Sequence, residues 1–285
     1  MNRLKGLRVV CLFIFYLWLG FVFCPQTFAG DIVIYGDSQS EEEVQGKIVQ
    51  AILSFKPEAV FRVGDLVNDG TLPELWGVFN RIHGPLIKAT QYYPALGNHE
   101  YDSRLYFKNF PFLNNRRWYS VDCEGIHFII LDSNSRLDLE SEQYRWLKSD
   151  LAQADKTAGF IITIFHHPFF DVSDKHKSDE KNIKDPLLPL FKKYKVSVTF
   201  SGHSHNYQRF ECDGIYFIVS GGGGSALYKK AQDNEYLQKF SFNYHFCLLS
   251  LANDFLVVKA IGIDNNIIDE FRVSGRRIKD VASHR

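Results

Sequence analysis

The 285-residue sequence has no excess of charge of either sign, since 33 lysine and arginine residues balance 33 aspartate and glutamate residues. A protein that binds nucleic acid needs a basic surface to meet the phosphate backbone. The neutral balance gives no sign of such a surface, and we expect no nucleic-acid partner. The sequence also lacks low-complexity tracts, linker-like segments and internal repeats, which favours a single α/β domain.

Cysteine is scarce, and none of the five cysteines has the spacing of a zinc finger. Cys11 and Cys24 lie near the N-terminus, which leaves Cys123, Cys212 and Cys247 as an odd number for disulfide pairing. Cys123 and Cys212 each lie in an acidic turn before an apolar run. Either these two pair as a disulfide or all three remain thiols, and the sequence leaves both alternatives open.

No apolar run reaches the roughly 20 residues that a membrane-spanning helix needs. The apolar segment Val9–Phe23 has 15 residues, follows a basic start and precedes small residues that end at Ala29. This order of features is typical of a secretory signal peptide. We therefore predict a signal peptide over residues 1–29, a mature domain over residues 30–285, and a periplasmic or secreted protein. A retained N-terminal segment that anchors the protein to a membrane is the alternative.

Five short apolar runs each lead into residues that can bind a metal ion. The five clusters are Gly36-Asp37, Gly64-Asp65, Gly97-Asn98-His99-Glu100, His166-His167 and Gly202-His203-Ser204-His205. We interpret the runs as β-strands, because α/β sheets place ligands beyond the carboxyl ends of their strands. The mixture of oxygen and nitrogen donors suits Mn, Zn, Fe or Co. Two such ions at one site point to hydrolysis of phosphate esters.

The segments between these runs have the periodicity of helices and further strands. The predicted helices cover Glu41–Phe55, Pro73–Ile87, Ser141–Ala154 and Leu187–Tyr194. Antiparallel strands are expected on either side of turns at Gly125 and Gly214, followed by a closing meander over residues 246–273. These elements favour an α/β fold of two packed, mixed β-sheets with helices outside.

The ordered set of clusters resembles the calcineurin-like metallophosphoesterase superfamily. Its pattern is Asp-x-His, Gly-Asp, Gly-Asn-His-Asp/Glu, a lone His and Gly-His-x-His. The segments Gly202–Arg209 and Ser220–Gly224 resemble the purple acid phosphatase-like branch, and the similarity spans roughly Asp31 to Arg272. The resemblance implies a calcineurin-like four-layer sandwich, with two mixed β-sheets flanked by helices.

This resemblance further implies an exported enzyme that hydrolyses small phosphate monoesters with a hydroxide bridging two divalent or trivalent metal ions. Two alternatives stay open: a phosphodiesterase acting on nucleotides or lipids, and a catalytically degraded binding protein on the same scaffold. Matching residues would carry the family's roles. The metal ligands would be Asp37, Asp65 and His205 for one ion and Asp65, Asn98, His166 and His203 for the other.

In the same resemblance His99 and Asp65 are the catalytic residues. His166 matches the ligand position because it lies two residues before Pro168, which leaves His167 beside the ligands or in the pocket wall. The candidate substrate contacts are Asn98, His99, His167, Tyr207 and Arg209. For Tyr207 and Arg209, packing within a hairpin is the alternative.

Two positions depart from the family pattern. Gln39 stands where many members have a histidine ligand, and Asn68 stands where purple acid phosphatases have a tyrosine. An oxygen from Gln39, Asn68 or water would then complete the first site, and the lost tyrosine argues against a mixed ferric centre. The segment Asp171–Lys184 is either a solvated loop or a substrate lid, and Gly221–Gly224 is either a plain loop or a phosphate cradle. The remaining histidines, expected to be structural or on the surface, are His83, His127, His176, His245 and His284.

Overall fold

The computed structural model describes residues 30–100, 104–176, 180–252 and 254–276. The predicted signal peptide of residues 1–29 and His284 lie outside these ranges. Within the described ranges, no helix combines the length and apolar character needed to cross a membrane.

The described residues form thirteen strands in two β-sheets. These are β1 (Ile32–Tyr35), β2 (Ala59–Arg62), β3 (Gln91–Pro94), β4 (Tyr119–Cys123), β5 (Ile126–Ile130), β6 (Phe160–Ile164), β7 (Val198–Ser201), β8 (Tyr207–Cys212), β9 (Ile215–Ser220), β10 (Leu237–Ser241), β11 (His245–Ala252), β12 (Phe255–Gly262) and β13 (Ile267–Ser274). The first sheet has the order β13-β12-β11-β1-β2-β3, and the second has the order β10-β8-β9-β7-β6-β5-β4. Both sheets are mixed, since parallel strands lie beside antiparallel ones.

The two sheets pack face to face through side chains that alternate along their strands. On β5, Phe128 faces the first sheet and stacks on Phe61 of β2, with ring centroids 4.1 Å apart. Its neighbour Ile129 points the other way and joins a separate cluster with the outer helices. This period of two buries both faces of the strand, as expected for a parallel strand covered on both sides.

Helices cover the outer face of each sheet. They are α1 (Glu42–Phe55), α2 (Pro73–Ala89), α3 (Arg104–Asn109), α4 (Glu142–Thr157) and α5 (Glu180–Lys193), with single 3-10 turns at Asn98–Glu100 and Pro111–Leu113. Ile52 of α1 and Phe79 of α2 pack on the first sheet, whereas Leu147 of α4 and Leu187 of α5 pack on the second. The resulting four layers confirm the predicted architecture.

The helix boundaries agree with the sequence except in α5. Ser141 caps α4, because its Oγ accepts the Tyr144 N–H at 3.2 Å. Helix α5 begins at Glu180, seven residues before the predicted start, and contains Pro186 and Pro189. A proline in a helix interior removes a backbone donor and usually ends the helix. Here buried contacts of the apolar face outweigh that preference.

The three described cysteines are free thiols. Cys123 ends the edge strand β4, and Cys212 ends β8, five strands away in the same sheet. At about 4.8 Å per strand, this separation is roughly 24 Å, far beyond the reach of a disulfide. The structure therefore contains free thiols at these positions rather than a Cys123–Cys212 disulfide.

His127 of β5 lies between two carboxylates on the outer side of the second sheet. Its Nδ1 is 2.7 Å from Asp122 Oδ1, and its Nε2 is 2.9 Å from Asp150 Oδ2. Burial lowers the pKa of His127, but its hydrogen bonds to Asp150 and Asp122 outweigh burial and raise the pKa above its ordinary value. The His127 side chain therefore links the β4–β5 hairpin to α4.

A pH-dependent contribution to stability follows. A raised pKa in the folded state stabilises the protein fully below the unfolded pKa of about 6.5, and this contribution is lost as the pH rises through the folded pKa. We expect His127→Gln to cost under about 1 kcal/mol, because Asp122 is exposed and solvent screens the pair. The difference from wild type in urea unfolding should be largest near pH 6 and shrink toward pH 9. A difference independent of pH would contradict this role.

Candidate metal centre

Five strand ends from both sheets meet at one edge of the interface between the sheets. Asp37, Asp65 and Asn98 follow β1, β2 and β3, His166 follows β6, and His203 follows β7. Backbone hydrogen bonds join these loops directly. The Asp37 N–H donates to Gly64 O at 3.1 Å, the Ser38 N–H to Asp65 O at 2.9 Å, and the Gly202 N–H to His166 O at 2.9 Å. The donor side chains are therefore held on one rigid frame.

Three of the donor residues have unusual backbone angles. The φ angles of Asp37, Asp65 and His203 are 58°, 51° and 68°, in the left-handed region that non-glycine residues seldom adopt. Strain of this kind costs roughly 1–3 kcal/mol per residue and is typical of functional sites. Gly64 has a φ angle of 101°, which favours glycine. A larger residue would also clash there, because its Cβ would lie 2.7 Å from His166 Nδ1.

The donors fall into two groups that share Asp65. Asp37, Asp65 and His205 form the first group, and Asp65, His166 and His203 form the second. Within each group, the candidate ligand atoms lie within 4.8 Å of one another, and all five residues are buried. In the second group, Asp65 Oδ2 is 3.2 Å from His166 Nε2. One carboxylate between two donor groups is the arrangement that bridges a pair of metal ions.

Each group has an amide side chain beside it. Asn98 Oδ1 lies 2.9 Å from His166 Nε2 and 3.0 Å from His203 Nδ1, so it faces the second group. Gln39 Nε2 lies 3.4 Å from Asp65 Oδ2 and 3.3 Å from His205 Nε2, so it faces the first group. The structure thus brings together all six ligands expected from the sequence, and Gln39 with them.

Backbone carbonyls orient two of the imidazoles toward the site. His166 Nδ1 donates to Val63 O at 2.9 Å, and His205 Nδ1 donates to Ala226 O at 2.9 Å. Each bond requires a proton on Nδ1, so Nε2 is the nitrogen that can bind a metal ion. Contacts of this kind commonly orient metal-ligating histidines. His167 instead places its Nδ1 2.8 Å from Ser133 Oγ, so His166 rather than His167 faces Asp65.

The donor set fits metal ions on two counts. Among the described residues, Asp37 Oδ2 and Gln39 Oε1 are buried side-chain oxygens with no hydrogen-bond partner, an arrangement that is costly unless a cation binds there. Burial also lowers the pKa of His205 to about 4 and that of His203 below its ordinary value, with the neighbouring His166 contributing to the shift at His203. Both imidazoles are therefore neutral at pH 7, with lone pairs available for coordination.

The carboxylates create a demand for positive charge. Burial raises the pKa of Asp37 to about 8, with His166 opposing this shift and Asp65 adding to it. The pKa of His166 rises to about 10, because Asp65 and Asp37 outweigh the effect of burial. Bound cations would satisfy the same demand.

His99 lies beside the donors rather than among them. Its Nδ1 is 2.7 Å from Asn68 O, and its Nε2 is 3.9 Å from Asp65 Oδ2. The side chain is 31% exposed, so a molecule in solution can reach it. The main-chain carbonyl of Asn68 thus holds the His99 ring in place.

Two aromatic rings that the sequence did not single out as site residues border the donors. The His176 ring centroid lies 3.7 Å from that of His203, although the sequence indicated a structural or surface role for His176. Tyr228 stacks on His205 with ring centroids 4.2 Å apart. His167 completes this wall, with its ring 4.5 Å from that of His203. The spacing of these residues in the sequence gives no indication that their rings lie close together.

Tyr207 and Arg209 have partners away from the donors. The Tyr207 hydroxyl donates to Asp269 Oδ2 at 2.8 Å, and Arg209 Nε donates to the same oxygen at 2.7 Å. Asp269 belongs to β13 of the first sheet, so both side chains link the two sheets. Their geometry agrees with the packing alternative, and neither side chain is a candidate substrate contact.

The loops beside the site are also built from internal contacts. In Gly221–Gly224, the Gly221 and Gly223 N–H groups already donate to Asn206 O and Gly36 O, which favours the plain loop. In the segment considered as a lid, Asp171 is buried and accepts from Ser173 and Gln208. Residues 177–179 of that segment lie outside the described ranges.

Two buried charged residues, Glu100 and Arg62, position the donors, a role that was not predicted for either of them. Glu100 accepts four backbone N–H groups: Gly97 at 2.7 Å, Leu66 at 2.7 Å, Asp65 at 3.0 Å and Val67 at 3.3 Å. It thereby joins the Asp65 loop to the Asn98 loop. Burial raises the pKa of Glu100 to about 7, with Asp65 adding to the effect.

Arg62 lies beneath the first donor group. Its guanidinium donates to Ser38 Oγ at 2.5 Å and to the Tyr92 hydroxyl at 2.6 Å, and Ser38 directly follows Asp37. The side chain is fully buried. In the sequence, the one indication of this role is that Arg62 lies in an otherwise apolar strand.

Comparison with known proteins identifies the family. Residues 30–207 match the calcineurin-like phosphoesterase family, so the chain belongs to that family. Purple acid phosphatase 22 of Arabidopsis thaliana is 29% identical over 224 residues, which cover 70% of this chain and 51% of that protein. Purple acid phosphatase 1 of Ipomoea batatas is 28% identical over 185 residues, covering 55% and 38% respectively. The chain spans about half the length of the curated relatives it matches.

Solved structures share the fold. A purple acid phosphatase from yellow lupin seeds has a TM-score of 0.75 and 21% identity, covering 87% of this chain and 54% of that one. GAP50, the anchor in the inner membrane complex of Plasmodium, has a TM-score of 0.71 and 19% identity, covering 87% and 90%. A dimetal phosphatase from Danio rerio has a TM-score of 0.61 and 14% identity, covering 87% and 99%. The predicted family and its purple acid phosphatase-like branch are confirmed.

The four hydrogen bonds to Glu100 lead to a prediction about metal affinity. Glu100→Gln removes the charge and replaces one acceptor oxygen by a donor, which should loosen both loops. We expect a 10–100-fold loss of Mn²⁺ or Zn²⁺ affinity by isothermal titration calorimetry, as is typical when a residue supporting the ligands is changed. Glu140→Gln, at an exposed position, is the matched control. Unchanged affinity in a folded Glu100→Gln protein would show that Glu100 does not position the ligands.

Proposed function

We propose that the protein is a metal-dependent phosphoric ester hydrolase that uses two metal ions and acts on phosphate monoesters. The observation that supports this most strongly is the sharing of Asp65 by two buried donor groups. Paired metal ions bridged by one carboxylate are a recurrent arrangement in enzymes that cleave phosphate esters. The family membership and the purple acid phosphatase relatives support the same class of reaction.

Asp37, Asp65 and His205 would hold one ion, and Asp65, Asn98, His166 and His203 would hold the other. Bound there, the ions would acidify a water molecule and neutralise negative charge on the phosphoryl group. The donor set suits Mn, Zn, Fe or Co. The protein contributes by holding these side chains in a fixed, largely buried arrangement.

His99 is proposed as the general acid for the leaving group. Its Nδ1 donates to Asn68 O, which leaves Nε2 directed away from that carbonyl. When protonated, Nε2 can donate to the oxygen that departs from phosphorus. General acid assistance of this kind is worth roughly 10²–10⁴ in rate.

The proposed substrate contacts line the rim of the donor groups. Asn98, His99 and His167 come from the sequence, and His176 and Tyr228 join them on the basis of their ring contacts with His203 and His205. Imidazole and phenol groups at these places can donate hydrogen bonds to phosphoryl oxygens. They also provide flat surfaces for the organic part of an ester.

We propose that the protein is exported by the signal peptide of residues 1–29. The support is the order of basic, apolar and small residues in that segment. N-terminal sequencing of the mature protein should find Gly30 first. Retention of the segment would favour a membrane-anchored protein instead.

The preference for monoesters is open to a direct comparison. Turnover of p-nitrophenyl phosphate should exceed turnover of bis(p-nitrophenyl) phosphate after loading with Mn, Zn, Fe or Co. The reverse preference would favour the phosphodiesterase alternative. A protein without bound metal and without turnover of either ester would favour the binding protein.

Two variants separate metal binding from catalysis. Asp65→Ala should lose both the bound metal and activity, because Asp65 belongs to both donor groups. His99→Ala should keep its metal content and lose roughly 10²–10⁴ in kcat. Metal analysis and kcat, measured together on folded proteins, check both outcomes, with Asp233→Ala as a control at a 93% exposed position. Normal turnover of Asp65→Ala would refute the assignment.

A further inference from the structure

We propose that Gln39 is a metal ligand through Oε1 and that it gives the first site a weaker preference for Zn²⁺ over Mn²⁺ than the second site has. This inference rests on the proposed two-metal function. The first site would then have three oxygen donors and one nitrogen donor: Asp37, Asp65, Gln39 and His205. The second site would have two of each: Asp65, Asn98, His166 and His203.

The position of the Gln39 amide is the first argument. Its Nε2 lies 3.4 Å from Asp65 Oδ2 and 3.3 Å from His205 Nε2, which are two donors of the first group. The terminal amide is thus already within reach of an ion held by those donors. A half-turn about the Cγ–Cδ bond exchanges Nε2 and Oε1 and would direct the carbonyl oxygen at the ion.

The second argument is the lack of partners for buried oxygens. Within the part of the chain that the structure describes, Gln39 Oε1 and Asp37 Oδ2 are buried acceptors with no hydrogen-bond partner. Burying such an acceptor unpaired costs roughly 1–3 kcal/mol. No protein group in the described ranges donates a hydrogen bond to either oxygen. After the half-turn of the Gln39 amide, one cation in the first donor group would satisfy both. The two unpaired atoms therefore point to the same ligand.

The other candidate for this place, Asn68, has a different position. Asn68 is exposed, and its main-chain carbonyl oxygen accepts from His99 Nδ1 at 2.7 Å. Gln39 instead follows Ser38, whose hydroxyl accepts from the buried Arg62 at 2.5 Å. The chain just before Gln39 is therefore anchored, which limits the positions that the amide can take.

The donor composition gives the expected metal preference. Mn²⁺ favours carboxylate and carbonyl oxygens, whereas imidazole nitrogens suit Zn²⁺. With Gln39 as a ligand, the first site has one nitrogen donor, whereas the second site has two. The ratio of Mn²⁺ affinity to Zn²⁺ affinity should therefore be higher at the first site than at the second. The first site should also be the weaker of the two for Zn²⁺.

Calorimetric titration of the metal-free full chain with MnCl₂ or ZnCl₂, alongside Mn²⁺ EPR, tests the proposal without an activity assay. We expect two binding events in wild type. Gln39→Ala should weaken one Mn²⁺ event at least ~10-fold and leave the other within about twofold. Gln39→Glu should restore or tighten that event, and Gln39→His should shift it toward Zn²⁺. Gln153→Ala, at an exposed position, is the control.

Each contrary result has a separate meaning. If Gln39→Ala binds Mn²⁺ as tightly as wild type, the amide is not a ligand. If Gln39→Ala binds Mn²⁺ more tightly, the amide competes with the metal, which also overturns the proposal. If folded wild type binds no metal ion, the two-metal function itself fails, and the role of Gln39 fails with it. Circular dichroism of each variant establishes that it is folded.

Discussion

The rest of the site depends on one constraint, which is that Asp65 is shared between two donor groups in a buried place. In the first group, the ligand atoms of Asp37 and Asp65 lie within 4.8 Å of each other. At that distance two carboxylates repel by about 3 kcal/mol at an effective dielectric constant of about 20. Desolvation adds to this cost, and the raised pKa of Asp37 reflects burial first and then Asp65. Metal ions on both sides of Asp65 would turn this repulsion into attraction, so we expect metal binding and stability of the site to be coupled.

Hydrogen bonds of the loop backbones and of two buried side chains maintain this arrangement. Asp37 and Asp65 adopt left-handed backbone angles, and hydrogen bonds between their loops hold them there. Glu100 binds the amides on both sides of the site, and Arg62 holds Ser38. A four-layer fold can supply such support because its two sheets end their strands at the same edge. The donors therefore lie on loops, while a rigid scaffold sets their positions.

Much of the fold could be predicted from the sequence, because the relevant signals are local. Apolar runs that end in Asp37, Asp65 or His203 show both a strand and its functional end. The start of α5 was missed because Pro186 and Pro189 are unfavourable in a helix, and only tertiary packing overrides that preference. His176 and Tyr228 could not be found in the same way. Their places beside His203 and His205 depend on the paths of two loops, and no motif or periodicity marks them.

The most direct test of the shared carboxylate is a crystal structure of the Mn²⁺-loaded protein with anomalous scattering recorded for manganese. Two anomalous peaks should appear about 3.5–4 Å apart, one on each side of Asp65, as expected for paired ions with a common ligand. Either a single peak, or two peaks of which one makes no contact with Asp65, would contradict the account.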